Sequence, residues 1–400
     1  MTDPLVKRSE KILHFFCDEL PSRRVGSSGN QRATAYFAEA LLDTGFRVET
    51  PPFACLDWEE EGASLAAGGK EYPVLPGPFS TGFTGSGELV TAGSVAELET
   101  LAMQDKILLL RGEATASQLM PKNFRFYNPE AHQHIYALVE NGKPKAVITA
   151  TGKNPELAGA AYPFPMFEDG DFEFPSVYMK DVDGEELAKL SGTRVSLEIH
   201  ARRIPSTGCN VLAIKPGRES QKVVVCAHID AKRGTPGALD NATGSTVLLL
   251  LGELLRDYRG RLGVEIVAIN GEDYYASPGE IQYLDMNASA MENIFLAVNM
   301  DGVGLKGYPT AFSFYGCPPA VEGKARSSFL ACGLVQGEEW YQGDHSIFLQ
   351  QNRPAIALTT QDFGQFISQI VHTPEDTLAN IDPQELARIA RCLAGFIQSL

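Results

Sequence analysis

The stretch KVVVCAHIDAKRGTPGALDNATGSTVLLLLGELLRD, residues 222–257, decides the fold class of this chain. It opens with a continuous apolar run, ends with an apolar pattern typical of a helix, and holds a histidine and two aspartates between them. Similar continuous apolar runs lie before it (NVLAI) and after it (GVEIVAI and IFLAVNM). Continuous apolar strands that alternate with helices predict an α/β fold, with a mixed, largely parallel sheet covered by helices on both faces.

A change in sequence pattern between about Pro51 and Pro205 indicates the domain organisation. There, acidic loops and prolines separate short apolar runs, which are typical of the strands of a small β-rich domain. We therefore predict that residues 51–205 are an insert, and that residues 1–50 and 206–400 form the main domain. The runs are KILLLRG (106–112), KAVITA (145–150) and PSVYM (175–179).

Charge and composition restrict the partners of this protein. Its net charge is −16, with 34 basic against 50 acidic residues, which argues against a nucleic-acid partner. The sequence has no signal-peptide pattern and no run of 18 apolar residues, so we expect no membrane insertion. Seven dispersed cysteines without CxxC spacing indicate reduced thiols and predict a cytoplasmic protein. The oligomeric state stays open, a homo-oligomer included.

Acidic and imidazole groups follow three of the apolar strands. His228 and Asp230 end the first, Glu272 and Asp273 follow the second, and Asp301 follows the third. Because ligands bind at the carboxyl ends of strands in open α/β sheets, we expect these groups to converge at one rim. Several ionised carboxylates at one place would repel each other unless a cation lies among them. Oxygen and nitrogen ligands without thiolate favour catalytic zinc, manganese or cobalt.

The loop between His228 and Asp240 carries a geometric expectation. Its glycines and proline prevent a continuous helix, so the two residues cannot be stacked one helical turn apart. The loop must curl back to bring Asp240 to His228. We expect Asp240 to bridge two metal ions, and Asp230 to hold the imidazole of His228 in place.

Six motifs in a fixed order then indicate a family. The ordered set resembles the dinuclear zinc aminopeptidases, which include bacterial leucyl aminopeptidases, aminopeptidase Y and the glutamate carboxypeptidase II group. The resemblance covers residues 20–50 and 205–400, and residues 51–205 resemble a protease-associated domain. The motifs are HxD (228–230), GAxDNxxG (237–244), NGED (270–273), NMDGVG (299–304), GDHxxF (343–348) and HTPEDT (372–377).

The resemblance implies a role for each matched position. Two divalent metal ions, zinc or alternatively manganese or cobalt, would share one water molecule at a separation of roughly 3.5–4 Å. Glu272 would be the general base that takes the proton from this water. One ion would be bound by His228, Asp240 and Asp301, and the other by Asp240, Asp273 and His372.

The sequence departs from the family pattern at three points, one of which is Gly343, where the family usually has serine. Asp273 is one methylene shorter than the usual glutamate, so the second metal is expected to sit differently or to bind more weakly. Trp340 occupies the place of a tyrosine that steadies the oxyanion, and Tyr341 is the predicted donor in its stead. We interpret Asp344 and His345 as structural or pocket-lining residues.

The leading functional prediction is a metal-dependent exopeptidase that removes amino-terminal residues from peptides. Two alternatives stay open: related amide chemistry on a peptide or small amide, as in a carboxypeptidase or a glutaminyl cyclase, and a catalytically silent binding relative. A His-x-His pair, His132 and His134, has no nearby carboxylate cluster and is interpreted as a surface feature.

Overall fold

The computed structural model describes residues 3–20 and 22–400, which divide into two compact units. The larger unit comprises Met1–Cys55 and Ser206–Leu400, and the smaller unit comprises Leu56–Pro205. Both boundaries fall within long strands.

The strands, numbered along the chain, are β1 (Arg47–Glu49), β2 (Pro52–Ala67), β3 (Lys70–Tyr72), β4 (Leu75–Pro76), β5 (Phe83–Ala92), β6 (Ile107–Leu110), β7 (Ala146–Thr151), β8 (Ser176–Lys180), β9 (Arg194–Cys209), β10 (Val211–Lys215), β11 (Lys222–His228), β12 (Gly263–Ile269), β13 (Ile294–Met300), β14 (Thr310–Tyr315), β15 (Val335–Gln336) and β16 (Ala355–Thr360). The α-helices are α1 (Pro4–His14), α2 (Ser28–Leu42), α3 (Val95–Thr100), α4 (Glu130–Gly142), α5 (Asp181–Ala188), α6 (Thr243–Leu254), α7 (Pro278–Asn287), α8 (Pro319–Ala331), α9 (His345–Gln350), α10 (Gly364–Ile367) and α11 (Pro383–Ser399).

An eight-stranded mixed sheet forms the centre of the larger unit, in the order β1-β10-β12-β11-β13-β16-β14-β15. The four central strands β12, β11, β13 and β16 are parallel to one another, whereas β10 and β14 join this set in antiparallel directions. The predicted α/β class with a largely parallel sheet is therefore confirmed. Because the central strands are parallel, their carboxyl ends meet at one edge of the sheet.

Helix α6 packs against the sheet, and helix α11 packs against α6. In α6, ten consecutive residues from Thr243 to Gly252 are buried, which explains its nearly continuous apolar sequence. Helix α11 packs against α6, α1 and α8. It begins as its sequence predicts, with the Asp382 side chain accepting a hydrogen bond from the backbone N–H of Gln384 and Pro383 in the first turn.

The smaller unit has its own eight-stranded sheet, in the order β3-β2-β9-β5-β6-β7-β8-β4. Strand β6 shows why the sequence KILLL is apolar throughout. Ile107 and Leu109 belong to one buried cluster and Leu108 and Leu110 to another, so both faces of the strand are covered. The unit thus contains two apolar layers of its own.

Two sequence features have plain structural counterparts. All seven cysteines lie among the described residues and none is joined in a disulfide. Within the described ranges, no helix is both long enough and apolar enough to cross a membrane.

Candidate metal centre

The ends of three parallel strands bring the candidate residues to one edge of the sheet. His228 is the last residue of β11, and Asp301 directly follows β13. Glu272 and Asp273 lie in the turn after β12, where Gly271 has a φ of 111° that a side chain would disfavour. The positions follow from the parallel direction of these strands.

The loop after β11 curls back, as its glycines and proline predict. Asp240 lies in the irregular turn Ala238–Ala242 that leads into α6. One carboxylate oxygen, Oδ1, lies 3.0 Å from Nε2 of His228, and the other, Oδ2, lies 3.0 Å from Nε2 of His372. Each oxygen of Asp240 therefore faces a different imidazole, which is the arrangement of a bridging carboxylate.

Two further carboxylates complete the two sets of donors. Oδ1 of Asp301 lies 3.6 Å from Nε2 of His228, and Oδ1 of Asp273 lies 2.7 Å from Nε2 of His372. The ligand atoms within each set of three lie within 4.8 Å of one another. The sets are His228, Asp240 and Asp301, and Asp240, Asp273 and His372. A third set adds Glu272, with His228 and Asp273; we call these six residues the acidic cluster.

The chemistry of the acidic cluster suits divalent cations. It gathers four carboxyl groups against two imidazoles without a thiolate. Nδ1 of His228, which is 1% exposed, lacks a hydrogen-bond partner among the described residues, as does Oδ2 of Asp273. Buried polar atoms are normally hydrogen-bonded, so these atoms are suited to a ligand outside the chain. Carboxylate and imidazole donors of this kind bind zinc, manganese or cobalt.

The electrostatics of the protein without a bound ion reflect this crowding. Although burial opposes it, the neighbouring imidazoles of His228 and His372 hold the pKa of Asp240 below its usual range. Burial lowers the pKa of His372, but the carboxylates of Asp273 and Asp240 outweigh it and raise that pKa to about 10. Burial, together with the nearby carboxylates of Asp273 and Asp301, raises the pKa of Glu272 well above its ordinary value.

Asp230 fixes the neighbouring ligand turn through the backbone. Its Oδ1 accepts a hydrogen bond from the N–H of Gly271 at 2.7 Å, and its Oδ2 accepts one from the N–H of Asp273 at 3.1 Å. Its Oδ1 also lies 3.7 Å from Nδ1 of His228, which is too long for a hydrogen bond. The expected role of Asp230 in holding the imidazole therefore stays a prediction, whereas its hydrogen bonds hold the turn that carries Glu272.

Asp376 holds the backbone at Asp240, a role that was not predicted from the sequence. This fully buried side chain accepts hydrogen bonds from the N–H groups of Leu239 at 2.6 Å and Asp240 at 3.1 Å. Burial raises its pKa to about 7. The signal was present, because Asp376 lies inside the HTPEDT motif with His372. The φ of His372 is 61°, in the left-handed region that residues other than glycine rarely adopt.

Buried amides hold the turn after β12 from its other side. Asn30 and Asn270 exchange side-chain hydrogen bonds at 2.8 and 2.9 Å, and the Asn270 N–H donates to Oδ1 of Asn210 at 2.9 Å. Asn30 belongs to the GSSGN segment, in which Ser27 caps α2. Nothing in local spacing links Asn30 to Asn270, which lies 240 residues away.

The tyrosine predicted as oxyanion donor has a different hydrogen-bond partner. Tyr341 is 60% exposed, and its hydroxyl donates to Oε2 of Glu339 at 2.6 Å. Its neighbour Trp340 packs its ring against His345, with centroids 4.5 Å apart. The role of Tyr341 stays a prediction.

Asp344 and His345 are both buried, which matches the interpretation of these residues as structural or pocket-lining. Burial raises the pKa of Asp344 well above its ordinary value. In the smaller unit, His132 accepts from the backbone N–H of Met120 and His134 pairs with Glu99, so the two histidines turn to different partners.

The chain is similar to known peptidases in sequence and in fold. Residues 210–397 match the model of peptidase family M28. A probable leucine aminopeptidase of Trichophyton verrucosum is 23% identical over 314 residues, which are 72% of this chain and 83% of that protein. The fold is similar to that of an aminopeptidase from Aneurinibacillus sp. strain AM-1, with a TM-score of 0.75 and 19% identity over 98% of this chain and 93% of the other. The zinc aminopeptidase BSAP from Bacillus subtilis has a TM-score of 0.73 and 20% identity over 98% and 94%.

The fold is of the zinc exopeptidase type. Residues 210–397, which lie in the larger unit, resemble peptidase family M28.

Proposed function

We propose that this protein is a metal-dependent aminopeptidase that hydrolyses amino-terminal peptide bonds. The observation that carries the proposal is Asp240, whose two oxygens face His228 and His372 from one carboxylate at 3.0 Å each. The aminopeptidase relatives support the choice of substrate end, and the acidic chain favours a cationic amino terminus.

The acidic cluster would hold two divalent ions, most simply zinc. His228, Asp240 and Asp301 would bind one, and Asp240, Asp273 and His372 the other. When bound, such a pair lowers the pKa of a shared water and polarises the scissile carbonyl. Because Asp273 is shorter than glutamate, we expect the second ion to bind more weakly than the first.

Glu272 would be the general base. It follows the same strand as Asp273 and belongs to one of the three donor sets, so its carboxylate reaches the place where the attacking water would lie. Its partial burial raises its affinity for a proton, which suits a group that accepts a proton from water and releases it to the leaving amine. Tyr341 would donate to the oxyanion after leaving Glu339, which is a further element of this proposal.

The inserted unit and the location of the protein belong to the same proposal. We infer from the sequence resemblance that residues 51–205 are a protease-associated domain, and from the reduced cysteines that the protein is cytoplasmic. Two independent apolar layers support the view that this unit is a domain in its own right.

The decisive experiment replaces Glu272→Gln in the zinc-loaded protein. Removal of a general base is expected to lower kcat on a leucyl peptide by about 10²- to 10⁴-fold, with the zinc content unchanged because no ligand is removed. The matched control is Glu253→Gln. Glu253 forms an ion pair with Arg8 and lies about 15 Å along α6 from the first residue of that helix. Full peptidase activity in Glu272→Gln would refute the proposal.

A panel of free and amino-blocked peptides distinguishes the alternatives. An aminopeptidase requires the free amine, so acetylation of the substrate should abolish hydrolysis. Cleavage of blocked peptides from the carboxyl end would indicate a carboxypeptidase, and cyclisation of amino-terminal glutamine would indicate a cyclase. Purified protein that takes up no zinc after reconstitution would indicate the silent relative.

A further inference from the structure

The largest fully buried charged side chain of the described residues lies beside the loop that carries Asp240. Arg23 is 1% exposed and donates to four backbone carbonyls. Nη1 donates to Phe16 and to Pro236, both at 2.8 Å; Nη2 donates to Gly237 at 2.8 Å; and Nε donates to Ile229 at 3.2 Å. Three of these four acceptors belong to the loop between His228 and Asp240.

The acceptors lie at both ends of that loop. Ile229 directly follows His228, whereas Pro236 and Gly237 come shortly before Asp240. One planar guanidinium therefore ties the two ends together, which its fixed fork of donors makes possible. A lysine in its place would offer a single nitrogen and could not reach both ends in the same geometry.

Gly237 permits this close approach. Its φ is 60°, and a Cβ there would lie 2.9 Å from Nη2 of Arg23 and 2.7 Å from the carbonyl oxygen of Asp240. The absence of a side chain at Gly237 thus lets the guanidinium and the turn of Asp240 pack against the same backbone.

Asp376 completes the arrangement from the other side. The carbonyls before Asp240 face the cation of Arg23, and the N–H groups of Leu239 and Asp240 face the carboxyl group of Asp376. The loop has no regular secondary structure to satisfy these groups, and buried backbone groups need partners. The guanidinium of Arg23 and the carboxyl group of Asp376 supply them.

We propose that Arg23 is a positioning residue that holds the His228–Asp240 loop in its ligand-binding conformation before any metal is bound. The inference rests on the proposed metal-dependent function for its consequence, but the clamp itself is a property of the metal-free chain. His228 and Asp240 would then face each other at 3.0 Å because Arg23 fixes the path between them.

The experiment compares Arg23→Lys with a control at another buried cation. Lys215 is 5% exposed and donates to the carbonyls of Thr44 and Leu255. Its register partner in strand β12 is Val264, at the end of the sheet opposite the acidic cluster. Arg23→Lys and Lys215→Met both disturb a buried cation, but only the first touches the ligand loop. Hydrogen exchange of residues 229–240 in the metal-free protein and zinc affinity in chelator-buffered zinc are measured for both.

We expect Arg23→Lys to lower zinc affinity by about 10-fold or more and to speed exchange in the loop, because groups that orient ligands contribute this much to metal binding. Lys215→Met should keep the zinc affinity and the loop exchange of the parent. Unchanged affinity and exchange in folded Arg23→Lys would overturn the proposal, as would equal losses in Lys215→Met.

The test also covers a variant that does not fold and a wild-type protein that binds no zinc. If Arg23→Lys does not fold, Gly237→Ala disturbs the same contact from the loop side, and wild-type zinc affinity in that variant would overturn the proposal. If the wild-type protein binds no zinc, the proposed function fails, while the exchange measurement still decides whether Arg23 holds the loop.

Discussion

At the residue scale, one carboxylate and its supports organise the candidate centre. Asp240 faces two imidazoles, Asp376 bonds the backbone at Asp240, and Asp230 bonds the turn of Asp273. The candidate ligands Asp240 and Asp273 are thus oriented by two other carboxyl groups, those of Asp376 and Asp230, which accept hydrogen bonds from the backbone of the ligands. Such bonds fix a ligand in direction without competing for its lone pairs.

The buried imidazole of His345 leads to a pH prediction. Burial lowers its pKa to about 4, and its ring nitrogens face the carbonyl of Trp340 at 2.8 Å and the amide of Asn299 at 3.5 Å. The folded protein keeps this ring neutral, whereas the unfolded chain protonates it below its ordinary pKa of about 6.5. The contribution of His345 to stability should therefore fall by about 3 kcal/mol as the pH falls from about 6.5 to about 4.

The measurement is the free energy of unfolding of the metal-free protein between pH 4 and pH 7. Replacement His345→Gln should flatten this dependence relative to the parent by that amount, because glutamine does not titrate. An identical slope in the two proteins would contradict the assignment of a neutral imidazole.

At the element scale, the sequence GALDNATG has a packing explanation. The Asn241 side chain donates to the carbonyl of Met300 at 2.8 Å and accepts from the N–H of Gly244 at 3.0 Å, so it joins the end of β13 to the start of α6. A Cβ at Gly244 would lie 2.7 Å from the Met300 carbonyl oxygen and 2.9 Å from Cβ of Ala227. The helix therefore approaches the sheet at a distance that only glycine permits.

Gly244→Ala is expected to destabilise the protein by about 1–3 kcal/mol, as overpacking of a tight contact does. The control is Gly395→Ala in α11, where a Cβ would meet nothing within 4 Å. That change should be neutral or stabilise by up to about 1 kcal/mol, because alanine favours helix. Chemical denaturation of both variants measures the difference; equal stabilities would exclude the packing explanation.

Most of the elements follow from the sequence because their patterns are local. The apolar runs of β11, β12 and β13 predict buried strands, and the Asp-Pro start of α11 predicts its first turn. The antiparallel direction of β10 beside β12 was not predictable in this way. Strand direction depends on pairing between segments about 50 residues apart, which no local pattern records.

At the scale of the whole molecule, the metal centre belongs to one unit only. The acidic cluster is built entirely from the larger unit, whereas the smaller unit has apolar layers of its own. Loss of a ligand that binds only the folded state lowers stability by mass action, by about 4 kcal/mol when the ligand is at 1,000 times its Kd.

Removal of zinc by a chelator should therefore act on one unit. We expect faster hydrogen exchange in residues 228–241 and 271–273, together with a lower melting temperature that added zinc restores. Exchange in β6 and β7 of the smaller unit should not change and serves as the internal control. Equal acceleration in those strands, or no effect on the ligand loops, would contradict a zinc centre confined to the larger unit.

The sequence by itself determined the fold class, the curl of the loop after β11 and the candidate ligands at the strand ends. These follow from local patterns of apolar, glycine and proline residues. Only the tertiary structure decided that Arg23 reaches Pro236, 213 residues away, that Asn30 pairs with Asn270, and that Tyr341 bonds Glu339. The physical reason is that such hydrogen bonds depend on the path of the folded chain between distant segments, whereas strand and turn patterns depend on neighbouring residues alone.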